Sequence, residues 1–288
     1  MGAEHGMERV NLLVREMELA MDGSRPFEDK VFKLPYKVGV DLGTSNVVIT
    51  VLDQEDRPVG GALEKAHVVR DGIVVEYVRA VTLLQEMKKR LERRLGTVLH
   101  EAATAIPPGI SPGNVKVITN VVEAAGFRLI QVIDEPEAAA KVLRVRSGAV
   151  VDIGGGTTGI SIIRNGEVAA SADEPTGGVH MTLVISGNLN VDFATAEQLK
   201  HDPEQHRMLS PIVQPVIEKM ANIAMSYIPQ DIETVYLAGG SCCLQGIEKV
   251  FAKYTSLSVR KPDNPLLVTP IGIAMSAKGD GLCCPPKP

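Results

Sequence analysis

Two short segments of this chain carry residue types suited to binding a polyphosphate: Asp41-Leu42-Gly43-Thr44-Ser45-Asn46 and Asp152-Ile153-Gly154-Gly155-Gly156-Thr157-Thr158-Gly159. Each follows an apolar run, Val38 to Val40 and Ala149 to Val151, and each precedes another, Val47 to Leu52 and Ile160 to Ile163. That arrangement predicts two β-hairpin turns. Glycine in such a turn lets backbone N–H groups approach a phosphate with no Cβ in the way, and the hydroxyls add donors. An aspartate ending the leading strand can hold a cation through its waters. One D-x-G-T is common in ordinary polar hairpins. Two copies, each opening a strand meander, point to a paired clamp on a nucleotide polyphosphate and its magnesium.

The elements that must position these turns follow an order that occurs twice. The first series is a meander (Val38 to Val40, Val47 to Leu52, Pro58 to Leu63), then a helix over Val78 to Leu95 and a strand over Glu101 to Ile106. A helix over Pro112 to Ala125 stopped by Gly126, a strand over Arg128 to Ile133 and a helix over Pro136 to Leu143 complete it. The second series is a meander over Ala149 to Val151, Ile160 to Arg164 and Glu167 to Ala172, with Asn165-Gly166 as a hairpin turn. Helices over Met181 to Asn188, Asp192 to Lys200 and Pro211 to Tyr227 follow, then a strand over Thr234 to Ala238. The turn Gly239-Gly240-Ser241, a helix over Gln245 to Tyr254 and a short strand near Ser258 come last. This is a pseudo-repeat of one α/β domain, with a glycine hairpin at the equivalent point of each half.

Ahead of the repeat, Val10, Leu13, Val14, Met17 and Met21 share one face of a helix over residues 7–21, ended by Asp22-Gly23-Ser24-Arg25-Pro26. That helix is expected to dock on the first domain, the alternative being a detachable targeting helix that docks on a partner protein. The basic residues Lys88, Lys89, Arg90, Arg93 and Arg94 are expected to form a solvated helix face.

A chain of 288 residues exceeds the usual size of a single core, so two domains are expected. Aromatic residues are only 3% with no Trp, which removes the stacking platforms that single-stranded nucleic acids need. A net charge of −5 supplies no basic footprint for a phosphate backbone, so no nucleic-acid partner is expected. The absence of a long apolar run or a secretory start predicts a cytoplasmic protein with no membrane partner. The cysteines form two adjacent pairs, Cys242-Cys243 and Cys283-Cys284, without C-x-x-C spacing, and reduced thiols are expected.

Taken in order, Asp41-Leu42-Gly43-Thr44, then Ala125-Gly126-Phe127 before Asp134-Glu135-Pro136-Glu137-Ala138-Ala139-Ala140, then Asp152-Ile153-Gly154-Gly155-Gly156-Thr157, then Gly177-Gly178, Leu237-Ala238-Gly239-Gly240-Ser241 and Pro270-Ile271-Gly272-Ile273-Ala274 form a longer pattern. It resembles the actin-like ATPases, a superfamily that includes actin, heat-shock ATPases of the DnaK type, bacterial rod-shape and division proteins, and sugar kinases. The resemblance spans about residues 38–277. In finer detail, Val68-Val69-Arg70-Asp71-Gly72-Ile73-Val74 and Pro107-Pro108-Gly109 make the chain similar to the chaperone-like family of bacterial ethanolamine utilisation.

The resemblance implies two ribonuclease-H-like domains with ATP and Mg²⁺ in a nucleotide cleft between them. Residues 1–35 would be an N-terminal helix and linker, 36–147 the first domain (completed by a helix at about 268–279) and 148–267 the second. Asp41 and Asp152 match the aspartates that hold magnesium through water. Gly43, Thr44, Ser45 and Asn46, with Gly154, Gly155, Gly156, Thr157 and Thr158, match the phosphate hairpins. Glu135 matches the glutamate that positions the attacking water in the chaperone ATPases, its alternative being plain helix-end polarity; with Asp152 and Thr157 it would serve hydrolysis. Gly239, Gly240 and Ser241 match the adenosine loop. Glu197 and Lys200 resemble the E-x-x-K pair on the ribose in rod-shape and division relatives, and a solvated helix pair explains them nearly as well. Two departures stand out. No counterpart of the DnaK-type lysine can be placed in the first domain, and Val179-His180-Met181 stand where acidic residues usually follow the Gly-Gly.

The resemblance therefore implies an ATP-binding, at most weakly ATP-hydrolysing, chaperone-like protein. Its partners would be ethanolamine-utilisation enzymes or microcompartment shell proteins, placing it in the cytoplasm or at the microcompartment. A polymerising actin-like scaffold without significant turnover is the alternative, and a metabolite kinase the third.

Overall fold

β-Branched residues dominate the runs that flank each glycine turn, and those runs form the central strands of two separate sheets. The computed structural model describes residues 2–23, 32–70 and 72–278. The Ser24-Arg25-Pro26 stretch, Asp71 and the Cys283-Cys284 pair lie outside the described residues. The chain divides into two compact units. One, here the β1 unit, holds Leu12–Ile106, Ile110–Asp134 and the segment from Pro270; the other, the β8 unit, holds the residues through Asn11, Pro107–Gly109 and Glu135–Thr269.

In the β1 unit, strands β1 (Lys37–Leu42), β2 (Asn46–Leu52) and β3 (Pro58–Lys65) form an antiparallel meander, extended by β6 (Glu101–Ile106) and β7 (Arg128–Asp134). The sheet order is β3-β2-β1-β6-β7, with β1, β6 and β7 parallel. Two very short strands absent from the sequence expectation, β4 (Val69–Arg70) and β5 (Ile73–Val74), pair as a separate ribbon. Helices α2 (Tyr77–Leu95) and α3 (Pro112–Ala124) cover the sheet, burying Leu84, Met87, Leu91, Ile118, Val121 and Val122 with Val38, Val40, Ile49 and Val51. Pro112 suits the first turn of α3, where its missing N–H is harmless, and Ser111 caps that end by accepting from Asn114 N.

The β8 unit repeats the plan. Strands β8 (Ser147–Ile153), β9 (Thr158–Arg164) and β10 (Glu167–Glu174) form the meander, and β11 (Thr234–Ala238) and β12 (Ser258–Arg260) add in parallel. Its order, β10-β9-β8-β11-β12, mirrors that of the first sheet. The β9–β10 turn has Asn165 at φ 56° and Gly166 at φ 86°, the pair of positive values that a two-residue hairpin with right-handed twist demands. Around this sheet lie α4 (Glu135–Leu143), α5 (Gly178–Leu189), α6 (Phe193–His201), α7 (His206–Tyr227) and α8 (Ile247–Thr255). Val151, Ile153, Met181, Ile185, Val213, Ile217, Leu237 and Phe251 share a second, separate core. The last helix is α9 (Val268–Ser276).

Helix α7 departs from expectation by starting at His206 rather than Pro211 and running through both Pro211 and Pro215. Both prolines sit on the exposed side, where carbonyls that lose their helical N–H partner can turn to water, while Leu209, Val213, Ile217 and Met220 bury the opposite face. Packing of that stripe outweighs the local cost.

The N-terminal helix α1 (Gly2–Asp22) buries Val10, Val14, Met17 and Ala20. Leu13 and Met21, expected on the same stripe, are half-buried. In the β1 unit, Arg94 donates to Met21 O at 2.8 Å and to Gly61 O at 2.9 Å. One member of the basic helix face thus satisfies a carbonyl at the end of α1, where the helix dipole favours a cation. Among the described residues no helix is long and apolar enough to cross a membrane.

Candidate functional site

Strand β8 is buried along all but its first residue, so its sequence can be almost wholly apolar until it ends beside Asp152. Asp152 faces Gly159 across the antiparallel ladder to β9 and Ala238 across the parallel ladder to β11. The turn that follows is closed by Gly154 N donating to Thr157 O at 2.9 Å. Two neighbouring segments lock it. Gly178 N and Val179 N, at the start of α5, donate to Gly154 O (2.9 Å) and Gly155 O (2.8 Å), and Thr158 Oγ1 donates to Thr176 O at 2.7 Å. These bonds also explain why α5 begins at Gly178 rather than Met181: its first N–H groups have partners already in place.

Asp152 is 6% exposed, and its Oδ2 accepts from the Thr269 hydroxyl. Burial pushes its carboxyl up to about 6, with the Thr269 hydrogen bond pulling the other way. Gly239 closes over it at φ 88°. A Cβ there would overlap Asp152 Oδ1 and lie 2.5 Å from Ile153 O, so only glycine fits. From the next turn, a 3-10 helix over Gly240–Cys243, Ser241 Oγ donates to Gly154 O at 2.6 Å. The adjacent Cys242 and Cys243 form no disulfide among the described residues; burial, then the Asp152 charge, raises the Cys242 thiol well above its usual range.

The E-x-x-K pair lies on α6, whose start is capped by Asp192 Oδ1 accepting from Thr195 N at 2.7 Å. Lys200 Nζ reaches Gly178 O (3.1 Å), Thr182 Oγ1 (2.8 Å) and Glu197 Oε2 (2.7 Å), with Lys200 only 8% exposed. Burial alone would raise the Glu197 carboxyl, but hydrogen bonds from His201, Lys200 and Thr182 and the Lys200 charge outweigh it and hold it at about 2. The pair, Lys200 buried and Glu197 half-buried, forms a hydrogen-bonded network against the start of α5.

Glu135 opens α4, and the residue after it, Pro136, packs on the strand next to the hairpin: a Cβ on Gly159 would lie 3.3 Å from Pro136 Cγ. Within the β8 unit the fold therefore gathers Asp152, Gly154 to Thr158, Glu197, Lys200, Gly239 to Ser241 and the start of α4. Thr269 and Thr182 were not among the sequence candidates, and Gly177-Gly178 stood in the sequence pattern without an assigned role. The Thr269 hydroxyl carries no local signal, since it acts on a residue 117 positions away, and Thr182 bonds Gly178 O within its own helix as well as Glu197.

In the β1 unit the first hairpin is built alike. Asp41 pairs with Val48 across the β1–β2 ladder, and Val40 O, just before it, accepts from Thr104 Oγ1 at 2.8 Å. Gly43, Thr44, Ser45 and Asn46 are half-buried; Ser45 O accepts from Ala66 N at 3.2 Å, and His67 Nδ1 lies 3.3 Å from Thr44 O. Among the described residues no three His, Cys, Asp or Glu side chains converge as a direct metal cage.

This geometry has relatives. A family model described as MreB/Mbl protein matches residues 59–203, and one described as cell division protein FtsA matches residues 149–272. Ethanolamine utilization protein EutJ of Salmonella typhimurium is 45% identical over 252 residues, covering 86% of this chain and 88% of that protein. The chain belongs to the EutJ family. The crystal structure of EutJ from Carboxydothermus hydrogenoformans matches with a TM-score of 0.87 at 44% identity, covering 94% of this chain and 98% of that one. MreB 5 of Spiroplasma citri bound to AMPPNP matches with a TM-score of 0.67 at 16% identity, over 84% of this chain and 96% of that one. The latter likeness establishes the fold, that of the actin-like ATPases. This EutJ-family chain is thus an ethanolamine utilization protein with an actin-like ATPase fold.

Proposed function

We propose that this chain binds ATP with magnesium and acts as a chaperone-like factor for ethanolamine-utilisation enzymes or their microcompartment shell. The observation that carries the nucleotide reading is the buried Asp152 carboxylate, roofed by Gly239 where a Cβ would overlap it and set beside the Gly154–Thr157 turn. A buried anion without a full cationic partner costs free energy, and a metal arriving with its phosphates relieves that cost. The residues present therefore fit the group. In this reading Gly154, Gly155, Gly156, Thr157 and Thr158 hold the phosphates through backbone and hydroxyl donors, and Asp152 holds the magnesium waters. The Asp41 hairpin, with Gly43 to Asn46, carries the same equipment and acts by the same means. Gly239 to Ser241 and the Glu197–Lys200 network serve the adenosine. Glu135, at the start of α4, orients the attacking water where turnover occurs. Magnesium, when bound, neutralises phosphate charge. Positioning and charge neutralisation are most of what phosphoryl transfer needs.

The test is thermal denaturation with Mg²⁺ and ATP, ADP or AMP. Millimolar ATP at a micromolar Kd stabilises the native state by roughly 4 kcal/mol. No shift with ATP or ADP overturns the nucleotide reading. Sedimentation with and without ATP separates a chaperone-like factor from a polymerising scaffold, and co-purification from ethanolamine-grown cells tests the partners.

A further inference from the structure

Five hydrogen bonds in the β8 unit form a closed circuit. Gly154 O accepts from both Gly178 N (2.9 Å) and Ser241 Oγ (2.6 Å). From Gly178 the circuit continues through its carbonyl to Lys200 Nζ at 3.1 Å. The Lys200 carbonyl then meets His206 Nε2 at 2.9 Å, and His206 Nδ1 accepts from Gln245 N at 3.1 Å. The short stretch from Ser241 to Gln245 closes the loop.

His206 is 4% exposed, and both ring nitrogens are spent on backbone groups. Because Nδ1 faces an N–H it must accept, so Nε2 carries the proton and donates to the Lys200 carbonyl. Its two neighbours therefore select one neutral tautomer. The next inward positions of α7 are Leu209, Val213 and Ile217, which pack without polar demands. A buried imidazole in their row is tolerable only because both bonds are made. The ring bridges two segments that also meet around Gly178: the end of α6 with Lys200, and the Gly239–Gln245 turn.

Resting on the nucleotide reading above, we infer that His206 is a positioning residue for the nucleoside: it fixes the spacing of the Lys200 segment and the Gly239–Gln245 turn, and so the fit of adenosine rather than of the phosphates. The phosphate turn enters the circuit at the Gly154 carbonyl, but its own closures at Gly154–Thr157 and Thr158–Thr176 do not pass through His206. Losing the ring therefore weakens ATP more than a bare polyphosphate.

The test measures Mg²⁺-ATP and Mg²⁺-tripolyphosphate affinity by calorimetry on the full chain and on His206→Leu, His206→Asn and His206→Gln. Asn can accept from Gln245 N in place of Nδ1, and Gln can donate to Lys200 O in place of Nε2. With Leu, the ATP-to-tripolyphosphate affinity ratio is expected to fall at least about tenfold, the scale of one lost hydrogen bond, with Asn and Gln each restoring part of it. Where Leu does not fold, a lowered ratio in Asn and Gln supports the inference. An unchanged ratio in the variants, or a parallel loss of both ligands, overturns it while leaving the nucleotide reading standing. Wild-type protein that binds neither ligand overturns both.

Discussion

Replacing Asp152 by asparagine should make the ligand-free protein more stable, not less. The carboxyl is 6% exposed, and burial pushes it from the ordinary 3.8 up to about 6. At about 1.36 kcal/mol per pKa unit, keeping it ionised at neutral pH costs on the order of 3 kcal/mol. The carboxamide of Asp152→Asn would be neutral and nearly isosteric, and its oxygen could still accept from the Thr269 hydroxyl, so most of that cost disappears. The sign follows from linkage: a carboxyl raised in the native state binds its proton more tightly there than in the unfolded chain. Its favourable contribution is full below about 3.8 and is lost as pH climbs through about 6. Urea denaturation from pH 4 to 8 should therefore show wild type losing stability relative to Asp152→Asn between those values and a constant difference above. The same substitution should abolish the gain in ATP affinity that Mg²⁺ confers, since the cation loses its anion. A variant no more stable than wild type at pH 7.5, with the same pH dependence, would refute the account of Asp152 as a desolvated carboxylate. Undiminished Mg²⁺ enhancement would remove it from the metal site.

Glu135→Gln should retain ATP binding and lower any hydrolysis by about 10²-fold, the scale of a water-positioning acid or base, as measured by phosphate release; wild-type turnover would assign Glu135 to the helix end alone. Deleting residues 1–35 removes Val10, Val14, Met17 and Ala20 from buried positions and leaves Arg94 without the Met21 carbonyl. Roughly 300 Å² of apolar surface at about 25 cal/mol per Å² is ~7 kcal/mol before ordering costs, so the melting temperature should fall and dye binding to exposed apolar surface should rise. An unchanged melting temperature would mean that the helix serves another protein rather than its own chain.

The parts of this protein legible in its sequence are those whose physics is local. Asp41 to Asn46 and Asp152 to Gly159 announce turns because glycine and small polar residues interrupt β-branched runs, and both turns stand where expected in two sheets of the same order. Asn165-Gly166 adopts the backbone its residue types favour. The pairing of units is likewise visible, since the order of elements repeats along the chain.

Tertiary structure alone decided what acts across long sequence separations. Thr269 reaches Asp152 from 117 residues away, and His206 joins Lys200 to Gln245. Hydrogen bonds of this kind leave no periodic mark, because a single hydroxyl or ring needs only to arrive at one place. The start of α7 was hidden for a related reason: Pro211 argues locally for a helix start, but burial of His206 and Leu209 carries the helix back to His206. Lys200 and Glu197 stand at a spacing that suits a solvated helix pair equally well, and the start of α5, folding against them, turns that pair into a hydrogen-bonded network around a buried Lys200. Residue types and spacing thus determined the turns, the strands and their repetition, because these depend on backbone preference and on which face is apolar. Which carboxylate is desolvated and which lysine is enclosed depended on neighbours that only the packed chain brings together.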